Sequence, residues 1–252
     1  MIAAWLAFLD GLLAIVLSLA GIVAAHFALT KPFTGFELLL LGFLIGVLGL
    51  VIGIVAMLVT FLSPSRYSGR KWAVIGSVLT LAVVLPILMI VVTHRQYPAI
   101  NDITTDTTNP PEFVEAPQLP ENHGRSMKYD NATYASIQQN APVYRNLGPL
   151  KFDYKPDDTF KKAEIIAGEI PDWQITRNDS KTRTLEGVAT SKWFHFKDDF
   201  VIQVRPADGQ SSLVEMRSKS RDGKGDLGAN YNRIEMFFHA LQGPPRGAAP
   251  LG

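Results

Sequence analysis

The chain contains no cysteine among its 252 residues. Disulfide bonds, thiol chemistry and metal sites built on cysteine are therefore excluded. A strong charge of either sign is also missing, because 24 basic and 23 acidic side chains leave a net charge of +1. Nucleic-acid binding requires a concentrated basic face, so a chain this close to neutral is a poor candidate for that function. We expect neither a thiol-dependent enzyme nor a nucleic-acid-binding protein.

Charge is missing locally from long apolar runs in the first 93 residues. The runs 38–62 and 72–92 contain no charged residue, and in the run 2–29 the only Asp, Glu, Lys or Arg is Asp10. About 20 apolar residues in a helix cross a hydrocarbon core roughly 30 Å thick, and a helix satisfies its own backbone groups in lipid. The sequence therefore predicts a membrane anchor of three transmembrane helices over residues 1–93. A buried soluble helix bundle is the alternative.

The basic residues of the short loops predict the orientation of these helices. The loop 63–71 carries three basic residues and no acid, whereas the loop 30–37 carries one lysine and one glutamate. Short cytoplasmic loops are richer in lysine and arginine than short loops on the other side. We therefore expect a cytoplasmic amino terminus, with everything after residue 93 on the outer face. For a bacterial chain this means the inner membrane, with the later residues in the periplasm.

Glycines recur at a spacing of four in the second apolar run. Gly42 and Gly46 form one such step, and Gly49 and Gly53 form another. Small residues let helix backbones approach closely, which favours helix association in lipid. These glycines predict either a helix-packing face within the anchor or a docking face for a partner membrane protein.

The remainder of the chain predicts a soluble α+β domain. Residues 94–128 are rich in Thr, Asn, Pro and Glu and read as an extended linker. Within the domain proper, 129–242, apolar residues at helical spacing follow Pro156 and again follow Asn230, a plausible N-cap. These two helices are expected to pack on a four-stranded antiparallel sheet. The last residues, 243–252, are expected to form a mobile tail.

Four strand-like segments follow the first of these helices, at 173–178, 182–190, 200–205 and 213–221. Their short connections predict an antiparallel meander. In the last segment Val214 and Met216 alternate with Glu215 and Arg217. This alternation of apolar and charged residues is typical of a sheet that is covered on one side only.

Several segments of the soluble part resemble the bacterial and plastid family called domain of unknown function 1499. They include YPAINDITTDTTNPPEF, SKWFHFKDDFVIQVRP and, most specifically, VEMRSKSRDGKGDLGANYNRIEMF. The resemblance extends over about 97–241 and does not cover the three predicted membrane helices. It implies kinship without an established activity. The positions that match the family pattern, to which no role is attached, are Asn101, Asp102, Asp199, Arg217, Ser218, Ser220, Arg221, Asp226, Gly228, Asn230 and Arg233.

Standard catalytic motifs are missing from the sequence: it contains no HExxH, GxSxG or GxxxxGK[ST]. Its five histidines are scattered, so neither a metal site nor a cofactor is predicted. One polar cluster lies where a strand ends, a glycine-rich loop turns and a helix begins. A helix start with nearby guanidinium groups can bind a small anion. The candidate residues are Arg217, Ser218, Ser220, Arg221, Asp226, Asn230 and Arg233.

The alternative for this cluster is a structural role, in which Asp226 pairs with Arg221 or Arg233 and Asn230 caps the helix. Two functions of different class follow. The first is a non-enzymatic, membrane-anchored accessory or assembly protein that binds or stabilises a partner membrane protein or complex. The second is a periplasmic domain that binds a small anion or lipid, or an uncharacterised hydrolase, through Arg217, Arg221 and Asp226. The first is preferred because the spacings assemble no catalytic geometry.

Overall fold

The computed structural model describes residues 2–243, apart from the side chains of 64–66. The chain divides into two compact units. The first, here called the helical unit, contains the chain up to His94 together with Lys192–His195. The second, here called the sheet unit, contains Arg95–Ser191 and the chain from Phe196 onward. The predicted mobile tail, except for its first residue, lies outside the described residues.

The helical unit is built from three long helices, which are α1 (Ile2–His26), α2 (Pro32–Leu62) and α3 (Arg70–His94). A short 3₁₀ turn, Pro64–Gly69, joins the last two. Proline at the first position of α2 suits a helix start, where its missing N–H has no partner in any case. All three helices are long and apolar enough to cross a membrane, as predicted.

Small residues line the inside of the helical unit, and large apolar residues lie outside. This is the reverse of a soluble bundle, in which large apolar side chains fill the core. Outward-facing Leu44 and Leu48 of α2, for example, are exposed. Such a surface is suited to lipid, so the arrangement supports membrane association. The buried residues of α1 are Ala4, Ala7, Gly11, Ala14, Ser18, Gly21 and Ala25.

The sheet unit contains one six-stranded antiparallel sheet, where the sequence predicts four strands. Its order is β1-β6-β5-β4-β3, and β2 also pairs with β6. The four predicted strands are present, with slightly different bounds. The six strands are β1 (Asp102–Thr104), β2 (Leu150–Phe152), β3 (Trp173–Asp179), β4 (Thr184–Thr190), β5 (Lys197–Pro206) and β6 (Ser212–Ser220).

The two additional strands are three residues long and pair with opposite ends of β6. Strand β1 pairs with Arg217–Lys219, and β2 pairs with Ser212–Val214. Three residues are too few to show an alternating pattern, which is why the four-strand prediction was wrong. Strand β1 also lies inside the segment 94–128 that reads from the sequence as a linker.

One face of the sheet is covered by two helices, α5 (Pro156–Glu169) and α6 (Ala229–Gln242). A shorter helix, α4 (Ser136–Asn140), precedes them in the chain. Phe160 of α5 and Phe237 of α6 are buried together with Phe200 and Met216 of the sheet. This is the main apolar core, and it agrees with the predicted packing of two principal helices on the sheet.

The opposite face of the sheet is covered as well, so the prediction of a sheet covered on one side only was wrong. Phe113, Ala116 and Met127, which follow β1, form a small buried cluster with Val201 of β5. We call residues 105–130 the covering segment. Its regular structure is limited to two 3₁₀ turns, Ala116–Gln118 and Pro120–Asn122. A segment of this kind gives no periodic signal in the sequence.

Candidate functional site

The charged residues of β6 lie in the buried layer between the sheet and the covering segment. The side chain of Arg217 is only 1% exposed, and its Nε and Nη2 each donate a hydrogen bond of 2.8 Å to one oxygen of Asp102. Asp102 lies on the neighbouring strand β1. Lys219 Nζ also donates to Asp102, at 2.8 Å. One buried carboxylate therefore binds two cationic side chains.

Two aromatic rings of the covering segment lie close to the Arg217 guanidinium. Its central carbon lies 4.7 Å from the centre of the Phe113 ring and 5.3 Å from that of Tyr129. Its Nη2 also donates to the carbonyl of Met127 at 2.9 Å. Burial, and then the charge of Asp102, raise the pKa of the Tyr129 phenol well above its usual range. The phenol is therefore neutral, and its ring packs on the cation.

A second buried carboxylate, that of Asp199 on β5, holds the end of β6. Arg221 Nη2 donates to it at 2.7 Å, and Asn122 of the covering segment donates to it at 3.0 Å. Arg125 lies 3.6 Å from the same carboxylate and donates to the carbonyl of Ser220 at 2.7 Å. This network ties the covering segment to two adjacent strands.

A third group joins the sheet to α6. Arg233 of α6 forms an ion pair with Asp198 and donates to Ser218 Oγ at 2.8 Å and to Asn230 Oδ1 at 2.6 Å. The amide of Asn230 donates in turn to Ser220 Oγ at 2.9 Å. Asn230 is therefore a buried hydrogen-bonding residue within the helix, and not the N-cap predicted from the sequence.

The start of α6 is capped by Asp226. Its carboxylate accepts hydrogen bonds from the backbone N–H of Gly228 at 2.8 Å and of Asn230 at 3.0 Å. Gly228 is the N-cap residue and has a positive φ of 85°. The predicted pairing of Asp226 with Arg221 or Arg233 was wrong, because both arginines pair with other carboxylates. Burial raises the pKa of Asp226, while the two N–H donors oppose this shift.

Glu186 is a site residue that the sequence reasoning missed. It lies in the middle of β4 and is fully buried. Its carboxylate accepts hydrogen bonds from three successive backbone N–H groups of the covering segment, those of Val114, Glu115 and Ala116, at 2.8–3.0 Å. The signal that could have revealed it is an acidic residue inside the otherwise uncharged strand TLEGVAT.

The predicted cluster is therefore divided among three ion-pair groups and a helix cap. Arg217, Arg221 and Arg233 are each bound to a carboxylate. A cleft of about 530 Å³ reaches the side chain of Arg217 between Phe113 and Lys128. Arg217 Nη1 makes one long hydrogen bond, 3.4 Å, to the carbonyl of Pro111. Of the three guanidinium nitrogens, Nη1 is therefore the one least engaged by protein acceptors.

Metal chemistry has no candidate centre in the part of the chain that the structure describes. Within residues 2–243, no group of three or more His, Asp or Glu side chains is placed to hold a metal ion.

The four glycines of α2 lie in the interior of the helical unit. A Cβ built on Gly42 would lie 2.7 Å from the carbonyl oxygen of Ala14 in α1. One built on Gly49 would lie 2.7 Å from the Thr80 side chain in α3. Gly46 and Gly53 similarly face α3. These four glycines therefore lie at contacts among the three helices.

Comparison with known proteins gives one family match. A family model described as "Protein of unknown function (DUF1499)" matches residues 102–241. The match runs from the first residue of β1 into α6, so it includes all the ion pairs described above and excludes the helices α1 to α3. The resemblance predicted from the sequence is confirmed. No curated protein matches the chain.

Proposed function

The chain belongs to the DUF1499 family, and from that premise, which brings no activity with it, we propose that it is a non-enzymatic, membrane-anchored accessory or assembly protein. In this role it binds or stabilises a partner membrane protein or complex. The three long apolar helices supply the anchor, and the sheet unit supplies the surface that recognises the partner.

The engagement of the polar cluster supports this proposal. Arg217, Arg221 and Arg233 each already bind a buried carboxylate, so their positive charge is compensated within the sheet unit. Removing one partner from a buried ion pair usually costs about 3–5 kcal/mol, because the other charge stays buried and uncompensated. The arrangement is therefore better suited to fixing the covering segment on the sheet. A rigid domain with a fixed surface is what a docking role requires.

The proposed location is the bacterial inner membrane, with the amino terminus in the cytoplasm and the sheet unit in the periplasm. The support is the loop 63–71, which is the richer of the two short loops in basic residues. A carboxyl-terminal fusion to alkaline phosphatase should be active. The same fusion to green fluorescent protein should not fluoresce, because this protein does not fold when the general secretory route exports it. An inactive phosphatase fusion together with a fluorescent green fluorescent protein fusion would reverse the orientation.

The test of the partner role is native isolation of the full chain in mild detergent. The chain has a mass of 27.7 kDa. We expect the chain to migrate with a larger assembly, in which mass spectrometry identifies a defined membrane protein. When that partner protein carries the tag instead, its isolation should recover this chain. An unrelated three-helix membrane protein of similar size, solubilised in the same way, controls for mixed micelles. Migration of the chain alone, in every detergent that preserves its fold, would count against the proposal.

Small-anion or lipid binding is the second candidate, and hydrolysis belongs to the same alternative. The cleft of about 530 Å³ beside Arg217 favours it, because clefts of roughly 300–1,000 Å³ are typical of small-ligand sites. A ligand bound there could reach Arg217 Nη1 without displacing Asp102. Lys128 lines the same cleft and is exposed. Lys128→Glu should therefore weaken the binding of an anionic ligand without breaking a buried ion pair. Extraction of a bound small molecule from a monomeric preparation would support this candidate over the first.

A further inference from the structure

The connection between β4 and β5 contains an aromatic tip, Lys192–His195, whose first two residues are exposed. The side chain of Trp193 is 60% exposed. Lys192 is exposed beside it, with its Nζ 5.6 Å from the centre of the Trp193 ring. A single exposed tryptophan is not unusual in a soluble loop. Tryptophan is, however, enriched at the boundary between membrane and water, where the ring is amphipathic like its surroundings.

This tip belongs to the helical unit. Within that unit, the Phe194 ring lies 5.7 Å from the ring of Phe36 in an edge-to-face arrangement. The His195 ring lies 5.0 Å from the ring of His26. His26 is the last residue of α1, and Phe36 lies in the second turn of α2. The tip therefore lies level with the helix ends that the α1–α2 turn joins.

The length of α1 puts these helix ends close to the expected edge of a hydrocarbon layer. Helix α1 has 25 residues, which at 1.5 Å per residue is about 37 Å, so a hydrocarbon core of roughly 30 Å leaves only about one and a half turns to be shared between its two ends. The α1–α2 turn adds large apolar side chains at the same level, since Phe27, Leu29 and Phe33 are exposed. The tip continues this apolar surface.

We propose that the Lys192–Trp193 tip inserts into the headgroup region of the bilayer and forms a membrane contact in addition to the three helices. The Trp193 ring lies among the upper acyl chains, and the Lys192 ammonium extends to the lipid phosphates. The occupant of this surface is lipid, because the tip is continuous with the lipid-facing ends of α1 and α2. The proposal is independent of the partner role.

The absence of native cysteine allows a clean depth measurement. Lys192→Cys carries a nitroxide label next to an intact Trp193, in the full chain reconstituted into phosphatidylcholine vesicles. Asp208→Cys is the matched control, because Asp208 is an exposed residue in the turn between β5 and β6. We expect the ratio of oxygen to aqueous nickel-complex accessibility to be at least threefold higher at 192 than at 208. Equal ratios would overturn the proposal.

Two variants in the Lys192→Cys background test the Trp193 side chain itself. Trp193→Ala should lower the accessibility ratio to that of the control position, whereas Trp193→Phe should retain most of it. Since Trp193 is exposed, neither change should alter thermal unfolding, and this confirms that the fold is intact. No effect of Trp193→Ala would overturn the proposal. So would a label that is accessible to nickel in pure vesicles but shielded from both reagents in native membranes, because a protein partner would then cover the tip.

Discussion

The carboxylates of Asp102, Asp199 and Glu186 are buried, and each accepts several hydrogen bonds. Asp102 accepts from two cationic side chains, Asp199 from an arginine and an amide, and Glu186 from three backbone N–H groups. An isolated buried charge costs several kcal/mol, and only good pairing and hydrogen bonding reduce that cost. Because the donors lie on the covering segment or the adjacent strands, these carboxylates specify where the segment lies.

Replacement of Arg217 by methionine tests this role. We expect Arg217→Met to lower the free energy of unfolding by about 3 kcal/mol, the lower end of the range for a broken buried pair. The lower end applies because Lys219 still compensates the charge of Asp102. Denaturant unfolding followed by tryptophan fluorescence measures the effect. Arg183→Met, which breaks the exposed pair with Asp157, is the matched control and should be close to neutral. Equal effects would show that burial of the Arg217 pair is not what matters.

Asp226 gives a pH-dependent prediction. Burial raises its pKa in the folded protein, so the folded state binds the proton more tightly than the unfolded chain does. The stability contributed by this group is therefore present at low pH and is lost as pH rises from the unfolded pKa through the raised one. Asp226→Asn removes this loss and keeps one acceptor for the helix start. The melting temperature of Asp226→Asn minus that of the wild type should increase as pH rises through this window.

Two observations check the pH effect. Asp222→Asn, an exposed change in the same loop, is the control and should follow the wild-type profile. A difference between Asp226→Asn and the wild type that stays constant across pH would show that the effect comes from a lost hydrogen bond and not from titration of the carboxyl.

The sequence revealed which polar residues are unusual, but not which residues they pair with. Arg217, Arg221 and Arg233 stand out because they cluster at a strand end and a helix start. Their carboxylate partners cannot be read from the sequence in the same way, since Asp102 is 115 positions from Arg217. Such pairs depend on strand pairing, and β1 is too short to be recognised. The structural role is therefore visible only once β1 is placed beside β6.

At the scale of elements, the helices were predictable because their sequence patterns extend over many residues. The three apolar runs are each long enough for many helical turns, and the helices near residues 156 and 230 show apolar residues at helical spacing over several turns. In contrast, β1 and β2 have three residues each. The covering segment has no periodic sequence pattern and contains no long helix or strand. The sequence therefore did not predict that this segment buries the second face of the sheet. The charged residues that alternate along β6 suggested that this face of the sheet is exposed to water. In the structure most of them are buried and paired.

The packing of α2 against its neighbours gives a prediction at the same scale. A Cβ on Gly49 would approach the Asp10 side chain of α1 to 2.9 Å and that of Thr80 in α3 to 2.7 Å. Gly49→Leu should therefore force the helices apart and destabilise the solubilised protein by about 1–3 kcal/mol, as overpacking usually does. Thermal inactivation of the folded fraction, measured by size exclusion after heating, reports the loss.

The control for Gly49→Leu is Val51→Leu, because Val51 of α2 faces outward and is exposed. This change also introduces a leucine into α2, but at a position where no neighbouring helix has to move. It should therefore leave the stability of the solubilised protein unchanged. If Gly49→Leu were equally neutral, the close approach of the three helices at this level would be wrong.

At the scale of the whole molecule, the proposed orientation of the three helices decides which solvent the sheet unit meets. If each helix crosses the bilayer once, the start of α1 and the end of α3 lie on opposite sides. The α1–α2 turn and the sheet unit then share one side, and the α2–α3 loop lies on the other. A single accessible residue in each connection is therefore sufficient to fix the arrangement.

Single cysteines in the cysteine-free chain test this arrangement directly. Lys31 in the α1–α2 turn and Tyr67 in the α2–α3 loop are both exposed. In cells with a permeabilised outer membrane, a membrane-impermeant maleimide should label Lys31→Cys and Asp208→Cys, and it should label Tyr67→Cys only after lysis. The reason is that short basic loops are preferentially retained in the cytoplasm, and the α2–α3 loop is the basic one. The opposite pattern would move the sheet unit to the cytoplasm. Labelling of all three sites before lysis would show that the helices do not span the bilayer.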